Sequence, residues 1–251
     1  MQGSEPIFIN NNAKIGVLML HGFSSTPNEF KELSVYLSKK GFNVYAPLIA
    51  GHGTIPEDLS KTNPQDWLNS AKDAYIKLKK ISERVFIVGN SFGSNLAFWL
   101  VKELNNEPMG IATLGAPIFL KHHFFVVCRI YSYGLIQTYY QKPPRLYKTD
   151  YIDMEDQVTY AAIPTKSIRQ FLQFIKKETR VNLGKVTIPA LVAHAKIDPV
   201  VNPSSATYIY SRLGSQFKKI YWFPSNFHIM TIDSRRQEIF KKIFEFIQEI
   251  I

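Results

Sequence analysis

Short apolar runs alternate with amphipathic helical patterns along most of this chain, and this alternation is the strongest constraint on its fold. The runs that read as strands are Ile15–Leu20, Asn43–Pro47, Val85–Val88, Gly110–Leu114, Pro189–Ala193 and Lys219–Phe223. Uniformly apolar runs of this length are typical of strands that are buried on both faces of a parallel sheet. Because helical patterns separate them, we predict an α/β fold with a mostly parallel central sheet flanked by helices.

The segment after the first predicted strand carries the signals of a helix start. Thr26 fits the N-cap position, Pro27 fits the first helical position, and Glu29 completes a capping box. Apolar residues then recur at helical spacing until Gly41, which predicts the end of the helix. The same periodicity returns over residues 239–250, so we predict that the chain ends in an amphipathic helix.

One stretch interrupts the alternation. Residues 118–184 contain no convincing strand–helix unit, and they are rich in large aromatic and aliphatic side chains. An insert of this length is too long for a simple connection between two strands. We therefore predict a helical cap, or lid, at 118–184, over a single core formed by 1–117 and 185–251. An ordinary piece of core is the alternative that the composition leaves open.

Composition narrows the classes of partner. Thirty Lys and Arg against twenty Asp and Glu give a net charge of +10, but the basic residues are scattered in pairs. Without a basic run we expect no nucleic-acid partner, and a weak association with lipid surfaces stays open. The apolar runs are far shorter than the roughly 18 residues that a membrane span needs. The first residues lack a signal-peptide pattern, so the expected location is cytoplasmic.

Metals and cofactors are not expected either. The single cysteine, Cys128, excludes an internal disulfide and a thiolate cluster, and it lies in an apolar stretch. His122 and His123 are adjacent, but no partner stands at the spacing typical of metal ligands. The sequence contains neither a glycine-rich phosphate loop nor a dinucleotide fingerprint.

The pattern with the most chemical content is Gly89-Asn90-Ser91-Phe92-Gly93, which follows a predicted strand and precedes an apolar helix. In that context Gly-x-Ser-x-Gly predicts a sharp strand-to-helix turn that exposes the central side chain. The flanking glycines avoid side-chain clashes in such a turn. A serine hydroxyl becomes a nucleophile when a neighbouring base removes its proton, so Ser91 is the candidate nucleophile.

His21-Gly22-Phe23, at the end of the first apolar run, together with this serine turn resembles the α/β-hydrolase family. The resemblance implies the α/β-hydrolase fold. It also implies an oxyanion hole made by the backbone N–H groups of Phe23 and Phe92, the residue after the nucleophile. His21 is then a structural residue of the loop rather than the catalytic base.

Asp198 and His228 complete the set that the resemblance implies. Asp198 follows the predicted strand Pro189–Ala193, where the family places the acid that orients the imidazole; a turn or capping aspartate is the alternative. Of six histidines, only His228 follows the last predicted strand and precedes the final helix, so it is the candidate base. The chain order Ser, Asp, His is that of the family. We interpret Asp233 as the N-cap of the final helix and His194 as a strand-end residue.

Longer motifs narrow the resemblance to bacterial carboxylesterases and monoacylglycerol lipases. They are LMLHGFSSTP, the turn Gly51-His52-Gly53, HAKIDPVVNP and FHIMTID. Two departures from the family pattern bear on substrate range. Ser94 follows Gly93 where a second glycine is common, and Phe227 stands directly before the candidate base.

The resemblance implies a serine carboxylic ester hydrolase that uses no cofactor and no metal and acts on a small-molecule ester. The composition of the predicted cap favours apolar acyl esters such as monoacylglycerols. Aryl or cinnamoyl esters, thioesters, amides and carbon–carbon bonds remain alternatives for the same triad, as does a binding protein without turnover. Dehalogenase and epoxide hydrolase chemistry is disfavoured, because those enzymes carry aspartate where Ser91 stands. Chain-length preference and oligomeric state stay open.

Overall fold

A seven-stranded sheet forms the centre of the computed structural model, which describes residues 1–121, 130–131, 138–143 and 159–251. The strands of the chain are β1 (Ile7–Ile9), β2 (Ile15–Leu20), β3 (Asn43–Ala46), β4 (Arg84–Asn90), β5 (Gly110–Leu114), β6 (Tyr139–Gln141), β7 (Ala162–Pro164), β8 (Ala190–Ala195) and β9 (Lys218–Phe223). The central sheet has the order β1-β3-β2-β4-β5-β8-β9. Its edge strand β1 is antiparallel to β3, and the other pairs are parallel, which confirms the predicted mostly parallel sheet.

Helices cover both faces of this sheet. The helices of the described residues are α1 (Lys31–Lys39), α2 (Pro56–Lys61), α3 (Pro64–Lys79), α4 (Phe92–Glu103), α5 (Thr165–Phe174), α6 (Ser204–Arg212) and α7 (Arg236–Glu249), with one further α-helical turn at Arg180–Asn182. Alternate residues of β2 point to opposite faces. Leu18 and Leu20 join a core with α3, α4 and α6, while Val17 and Met19 join a core with α1 and α7. Across the described part of the chain, no helix combines the length and the apolar character that crossing a membrane requires.

The predicted capping box at Thr26 and Glu29 is wrong. A 3-10 turn occupies Pro27–Phe30 without a side-chain cap from Thr26, and α1 begins only after it. The Glu29 side chain is buried, because the N–H of Gly22 and the side-chain amide of Asn90, at the end of β4, offer it hydrogen bonds in the interior. A capping box does form at α3, where the side chains of Asn63 and Asp66 reciprocally accept backbone N–H groups.

The predicted N-cap of the final helix is also wrong. Helix α7 begins at Arg236, and Asp233 lies before it, directly after a 3-10 turn at Met230–Ile232. The Asp233 carboxylate accepts the N–H of Arg235 at 2.7 Å and the hydroxyl of Ser225. The Asp233 side chain therefore stabilises the turn that precedes α7 and does not cap the helix.

The predicted insert at 118–184 contains more than helix. In its described part β6 and β7 form a two-stranded antiparallel sheet, and α5 continues into a π-helical turn at Ile175–Thr179. The N–H of Tyr160 donates to the carbonyl of Ser24 at 3.0 Å, and its hydroxyl donates to the carbonyl of Gly51 at 3.0 Å. This segment thus packs against the loops that follow β2 and β3. Its boundaries and its role as a lid stay predictions, and His122, His123 and Cys128 lie outside the described residues.

Candidate active site

Four loops at one edge of the sheet carry the candidate residues. Strands β2, β4, β8 and β9 run in the same direction, and the residues that follow their carboxyl ends are, in order, Phe23, Ser91, Asp198 and His228. In open parallel sheets, ligands bind outside these carboxyl ends. The fold thus brings the predicted residues to the edge of the sheet where a ligand site is expected.

Ser91 sits on the sharp turn that the sequence predicts. Its backbone has φ 49° and ψ −120°, a conformation that is uncommon for residues other than glycine. A Cβ at Gly93 would lie 1.8 Å from the carbonyl oxygen of Leu20, and one at Gly89 would lie 2.5 Å from the Cα of Ser94. Both glycines are therefore required by close backbone approach. The hydroxyl of Ser94 donates to the carbonyl of Gly89 at 2.7 Å, so serine is compatible with the turn.

His228 lies between Ser91 and Asp198. Its Nε2 is 2.9 Å from the Oγ of Ser91, and its Nδ1 is 2.7 Å from the Oδ2 of Asp198. With the proton on Nδ1, the ring donates to the carboxylate and Nε2 accepts from the hydroxyl. The other carboxylate oxygen accepts the N–H groups of Val200 and Val201 at 2.7 and 2.8 Å, which fixes the Asp198 side chain. This line of hydrogen bonds can move a proton from the hydroxyl to the imidazole.

The pKa values of His228 and Asp198 favour this proton transfer. Burial lowers the pKa of His228, but the charge of Asp198 and its hydrogen bond outweigh burial, so the pKa lies above its ordinary value. Burial raises the pKa of Asp198, but His228 and the N–H of Val201 outweigh that effect and lower it. The site therefore stabilises a carboxylate beside an imidazolium, the charge distribution that proton transfer creates.

Two backbone N–H groups are available near Ser91. Phe92 is the first residue of α4, where N–H groups have no acceptor within the helix. The loop after β2 passes close to Ser91, because a Cβ at Gly22 would lie 3.4 Å from the Cβ of Ser91. Phe23 follows in that loop, and its N–H donates to no acceptor within the described residues. The ring of Phe23 stacks on Phe171 with centroids 5.0 Å apart.

Two further histidines of the described chain occupy structural positions. His21 Nε2 accepts the N–H of Ile49 at 3.0 Å, and burial together with His52 lowers the pKa of His21 to about 3. His21 is thus neutral and engaged in its loop. His194 lies in β8 with Nε2 3.5 Å from Asp198 Oδ2, and burial lowers its pKa.

Two residues beside the site were not predicted to belong to it. Gly115 follows β5 with φ 60°, and a Cβ there would lie 3.2 Å from the Cε1 of His228. A glycine directly after a buried strand is the signal that could have indicated it. Glu29 contacts both the Gly22 loop and Asn90, and the pattern around it pointed to a helix cap instead.

A cavity of about 570 Å³ has Ser91 and His228 in its lining. Its described lining is mainly apolar and includes Phe23, Pro117, Leu120, Ile130, Tyr140, Pro143, Ile163, Ile168, Phe171, Pro199, Val200, Val201 and Ile229. Polar groups of the lining include Ser24, Ser25, Glu29, Lys121, Lys142 and Thr159. The Nζ of Lys142 donates to the Oγ1 of Thr159 at 2.7 Å, and burial lowers the pKa of Lys142 to about 7. Phe227 is buried.

Comparison with known proteins identifies the family. A family model described as serine aminopeptidase, S33 (Hydrolase_4) matches residues 11–235. The chain belongs to this family. A relative of this S33 chain, the thermostable monoacylglycerol lipase of Bacillus sp. (strain H-257), is 28% identical over 246 residues, or 98% of this chain and 95% of the relative. The carboxylesterase of Bacillus subtilis (strain 168) is 27% identical over 236 residues, or 93% of this chain and 92% of the relative.

The fold comparison agrees with the family. A solved structure from work on LipS and LipT, two metagenome-derived lipolytic enzymes, superposes with a TM-score of 0.90 over 99% of both chains at 23% identity. The predicted α/β-hydrolase fold is therefore confirmed. The resemblance to the carboxylesterase and monoacylglycerol lipase group is confirmed as well, and this S33 chain is an enzyme of the hydrolase class.

Proposed function

We propose that this S33 chain hydrolyses carboxylic esters with an apolar acyl group, through an acyl-enzyme on Ser91. The observation that carries the proposal is the line of hydrogen bonds from Ser91 through His228 to Asp198, with distances of 2.9 and 2.7 Å, in the lining of a mainly apolar cavity. Relatives that are named monoacylglycerol lipase and carboxylesterase support an ester as the bond that is cleaved.

The proposed reaction has two half-reactions. Ser91 Oγ attacks the ester carbonyl carbon while His228 Nε2 takes the hydroxyl proton, and the N–H groups of Phe23 and Phe92 stabilise the oxyanion. When the intermediate collapses, the ester C–O bond breaks and the imidazolium protonates the leaving alcohol. Water, deprotonated by His228, then attacks the acyl carbon; the bond from this carbon to Ser91 Oγ breaks, the imidazolium returns its proton to Ser91 Oγ, and the acid leaves. Asp198 orients the imidazole and stabilises its positive form.

The cavity lining supports a substrate with one apolar and one hydroxylated part. Aliphatic and aromatic side chains such as Leu120, Ile163 and Phe171 favour an acyl chain, because burying it removes apolar surface from water. Lys142 belongs to the same lining, and its Nζ carries hydrogens beyond the one that it donates to Thr159, so it can hydrogen-bond an alcohol. A monoacylglycerol combines these two chemistries, so it is the proposed natural type of substrate.

A peptide substrate fits the cavity less well, although the family description names an aminopeptidase. A free amino terminus is a cation and needs a carboxylate partner when it is buried. Among the described lining residues the one carboxylate is Glu29, and its oxygens already accept three hydrogen bonds. Lys121 also lines the cavity, and its charge disfavours a further cation there.

Hydrolysis of p-nitrophenyl esters from acetyl to palmitoyl, of a monoacylglycerol and of an aminoacyl p-nitroanilide tests the proposal, with Ser91→Ala as the paired variant. We expect ester turnover and glycerol release by the wild type, loss of both in Ser91→Ala, and no significant cleavage of the anilide. Turnover of the anilide in preference to every ester, or ester turnover that survives in Ser91→Ala, would contradict the proposal. The acyl length that gives the highest kcat/KM measures the usable depth of the cavity.

A further inference from the structure

We propose that Glu29 is a positioning residue of this site. Its carboxyl group links, through hydrogen bonds, the loop that carries the proposed oxyanion donor Phe23 to Asn90, the residue that precedes Ser91. The inference rests on the proposed function, because it assigns Glu29 a part in stabilising the oxyanion of that reaction. It concerns a side chain that the sequence pattern placed at a helix cap and that the structure places in the interior.

The contacts of Glu29 join two parts of the site. Its Oε1 accepts both the N–H of Gly22 and the Nδ2 of Asn90, each at 2.9 Å. Its Oε2 accepts the hydroxyl of Ser25 at 2.6 Å. Gly22 directly precedes Phe23, and Asn90 directly precedes Ser91. One oxygen atom thus holds the two chain segments whose separation determines where an oxyanion can sit.

Glu29 and the N–H of Tyr160, which donates to the carbonyl of Ser24 at 3.0 Å, both hold the loop that carries Phe23. In this loop Ser24 has φ 62°, a left-handed conformation that costs energy in residues other than glycine. An oxyanion hole works only when both donors lie within hydrogen-bond distance of the same oxygen atom. The Phe92 donor is fixed by α4, whereas the Phe23 donor depends on the path of the loop. Glu29 is buried, with 4% of its surface exposed, so water does not compete strongly for its oxygens.

The hydrogen bonds that Glu29 accepts from Gly22 and Asn90 do not depend on its ionisation. Burial raises the pKa of Glu29 to about 7, against the opposing effect of Ser25, Asn90, Gly22 and His228. Lys142 of the insert lines the same cavity, and the charge of Glu29 raises the pKa of Lys142 against the larger effect of burial. In the protonated form, a proton on Oε2 points to the Ser25 hydroxyl, and Oε1 still accepts both of its hydrogen bonds. Glutamine reproduces this form, since its amide oxygen accepts and its NH₂ group donates.

Glu29→Gln and Glu29→Asp separate geometry from charge. Glutamine keeps the length and the acceptor but removes the charge, whereas aspartate keeps the charge and is one methylene too short to reach both Gly22 and Asn90. Glu29→Ala removes both properties. Glu32→Gln, three residues later on the exposed side of α1 and paired with Arg236, is the matched control. Thermal unfolding of each variant establishes that it is folded before kinetics are compared.

We expect Glu29→Gln to keep kcat within about threefold of the wild-type value. Glu29→Asp and Glu29→Ala should lose about 10²-fold in kcat with little change in KM, because loss of one oxyanion donor has an effect of this size. A trifluoromethyl ketone is the second probe, since addition of Ser91 to its carbonyl forms a tetrahedral oxyanion. Its Ki should rise in Glu29→Asp and Glu29→Ala in parallel with the loss of kcat. A merely destabilising change would not move Ki and kcat together while KM stays constant.

The opposite ranking overturns the inference. If Glu29→Asp is active and Glu29→Gln is not, charge rather than position is what the site needs; wild-type kinetics in folded Glu29→Ala would exclude any role. Should Glu29→Ala fail to fold, the comparison of aspartate with glutamine decides alone. Wild type and Ser91→Ala are assayed alongside, so an absence of any ester turnover by the wild type counts against the proposed function and not against Glu29.

Discussion

At the scale of single residues, Asp198 and His228 illustrate how the local environment selects a protonation state. The carboxylate is buried, and two backbone N–H groups and one imidazole N–H satisfy it. Its charge raises the pKa of His228 against the effect of burial. In the proposed reaction only neutral His228 can accept a proton from Ser91, so the pH at which activity appears reports on this interaction.

We predict that kcat/KM for a p-nitrophenyl ester falls, as pH decreases, with an apparent pKa above the ordinary histidine value of about 6.5. In Asp198→Asn the charge that raises the pKa of His228 is lost, so the acidic limb of the kcat/KM profile moves to lower pH. The value of kcat drops by about 10³ to 10⁴-fold, because the imidazole loses its orientation. Asp73→Asn, on the exposed side of α3, is the control and should leave the profile unchanged. An acidic limb at the same pH in Asp198→Asn would refute the assigned electrostatics.

Glu29 marks the limit of sequence-based prediction at this scale. The Thr26–Glu29 spacing fits a capping box, and local chemistry alone does not distinguish that use from another. The deciding partners are Gly22 and Asn90, and Asn90 is far away in the chain. By contrast, the sharp turn at Ser91 was predictable because the flanking glycines and the strand-to-helix position are local features.

At the scale of secondary-structure elements, α5 of the insert packs directly on the loop that carries Phe23 and on the start of α4. Phe171 stacks on Phe23 and packs edge-on against Phe92, with centroid distances of 5.0 and 5.3 Å. Both partners carry a proposed oxyanion N–H. The same ring lines the cavity, so it can limit the space for an acyl chain.

We predict that Phe171→Ala shifts the preferred p-nitrophenyl ester to longer acyl chains, because the space of the ring becomes available. The lost packing should also reduce the free energy of unfolding by about 3–5 kcal/mol. Leu172→Ala is the matched control, since Leu172 packs against the same core but is half-buried on a neighbouring helical position. The optimum is measured from kcat/KM across the ester series. An unchanged optimum in Phe171→Ala, or an equal shift in Leu172→Ala, would show that this ring does not bound the acyl site.

The predictability of elements follows their length and their dependence on distant contacts. The buried strands and the final helix α7 were predicted, because apolar runs and helical periodicity are properties of the local sequence. The edge strand β1 has three residues and helix α2 has six, and both were missed. Elements as short as these depend on tertiary packing for their stability. The two-stranded sheet of β6 and β7 was missed for the same reason.

At the scale of the whole molecule, the sheet order explains how residues far apart in the chain meet. Strand β5 lies between β4 and β8, and β8 pairs with β9, so the loops with Ser91, Asp198 and His228 open at one edge. The direction of the parallel strands was predictable from the alternation of strands and helices. The distances between the side chains were not, because they depend on loop conformations such as those of Gly115 and Ser91.

The central claim is that Ser91 is the nucleophile, and covalent labelling tests it most directly. A fluorophosphonate reacts with an activated serine by forming a P–O bond and releasing fluoride, and peptide mass spectrometry locates the adduct. We predict one adduct, on the peptide that contains Ser91, with labelling abolished in Ser91→Ala and strongly slowed in His228→Ala. An adduct on another residue, or no adduct on folded wild-type protein, would contradict the account.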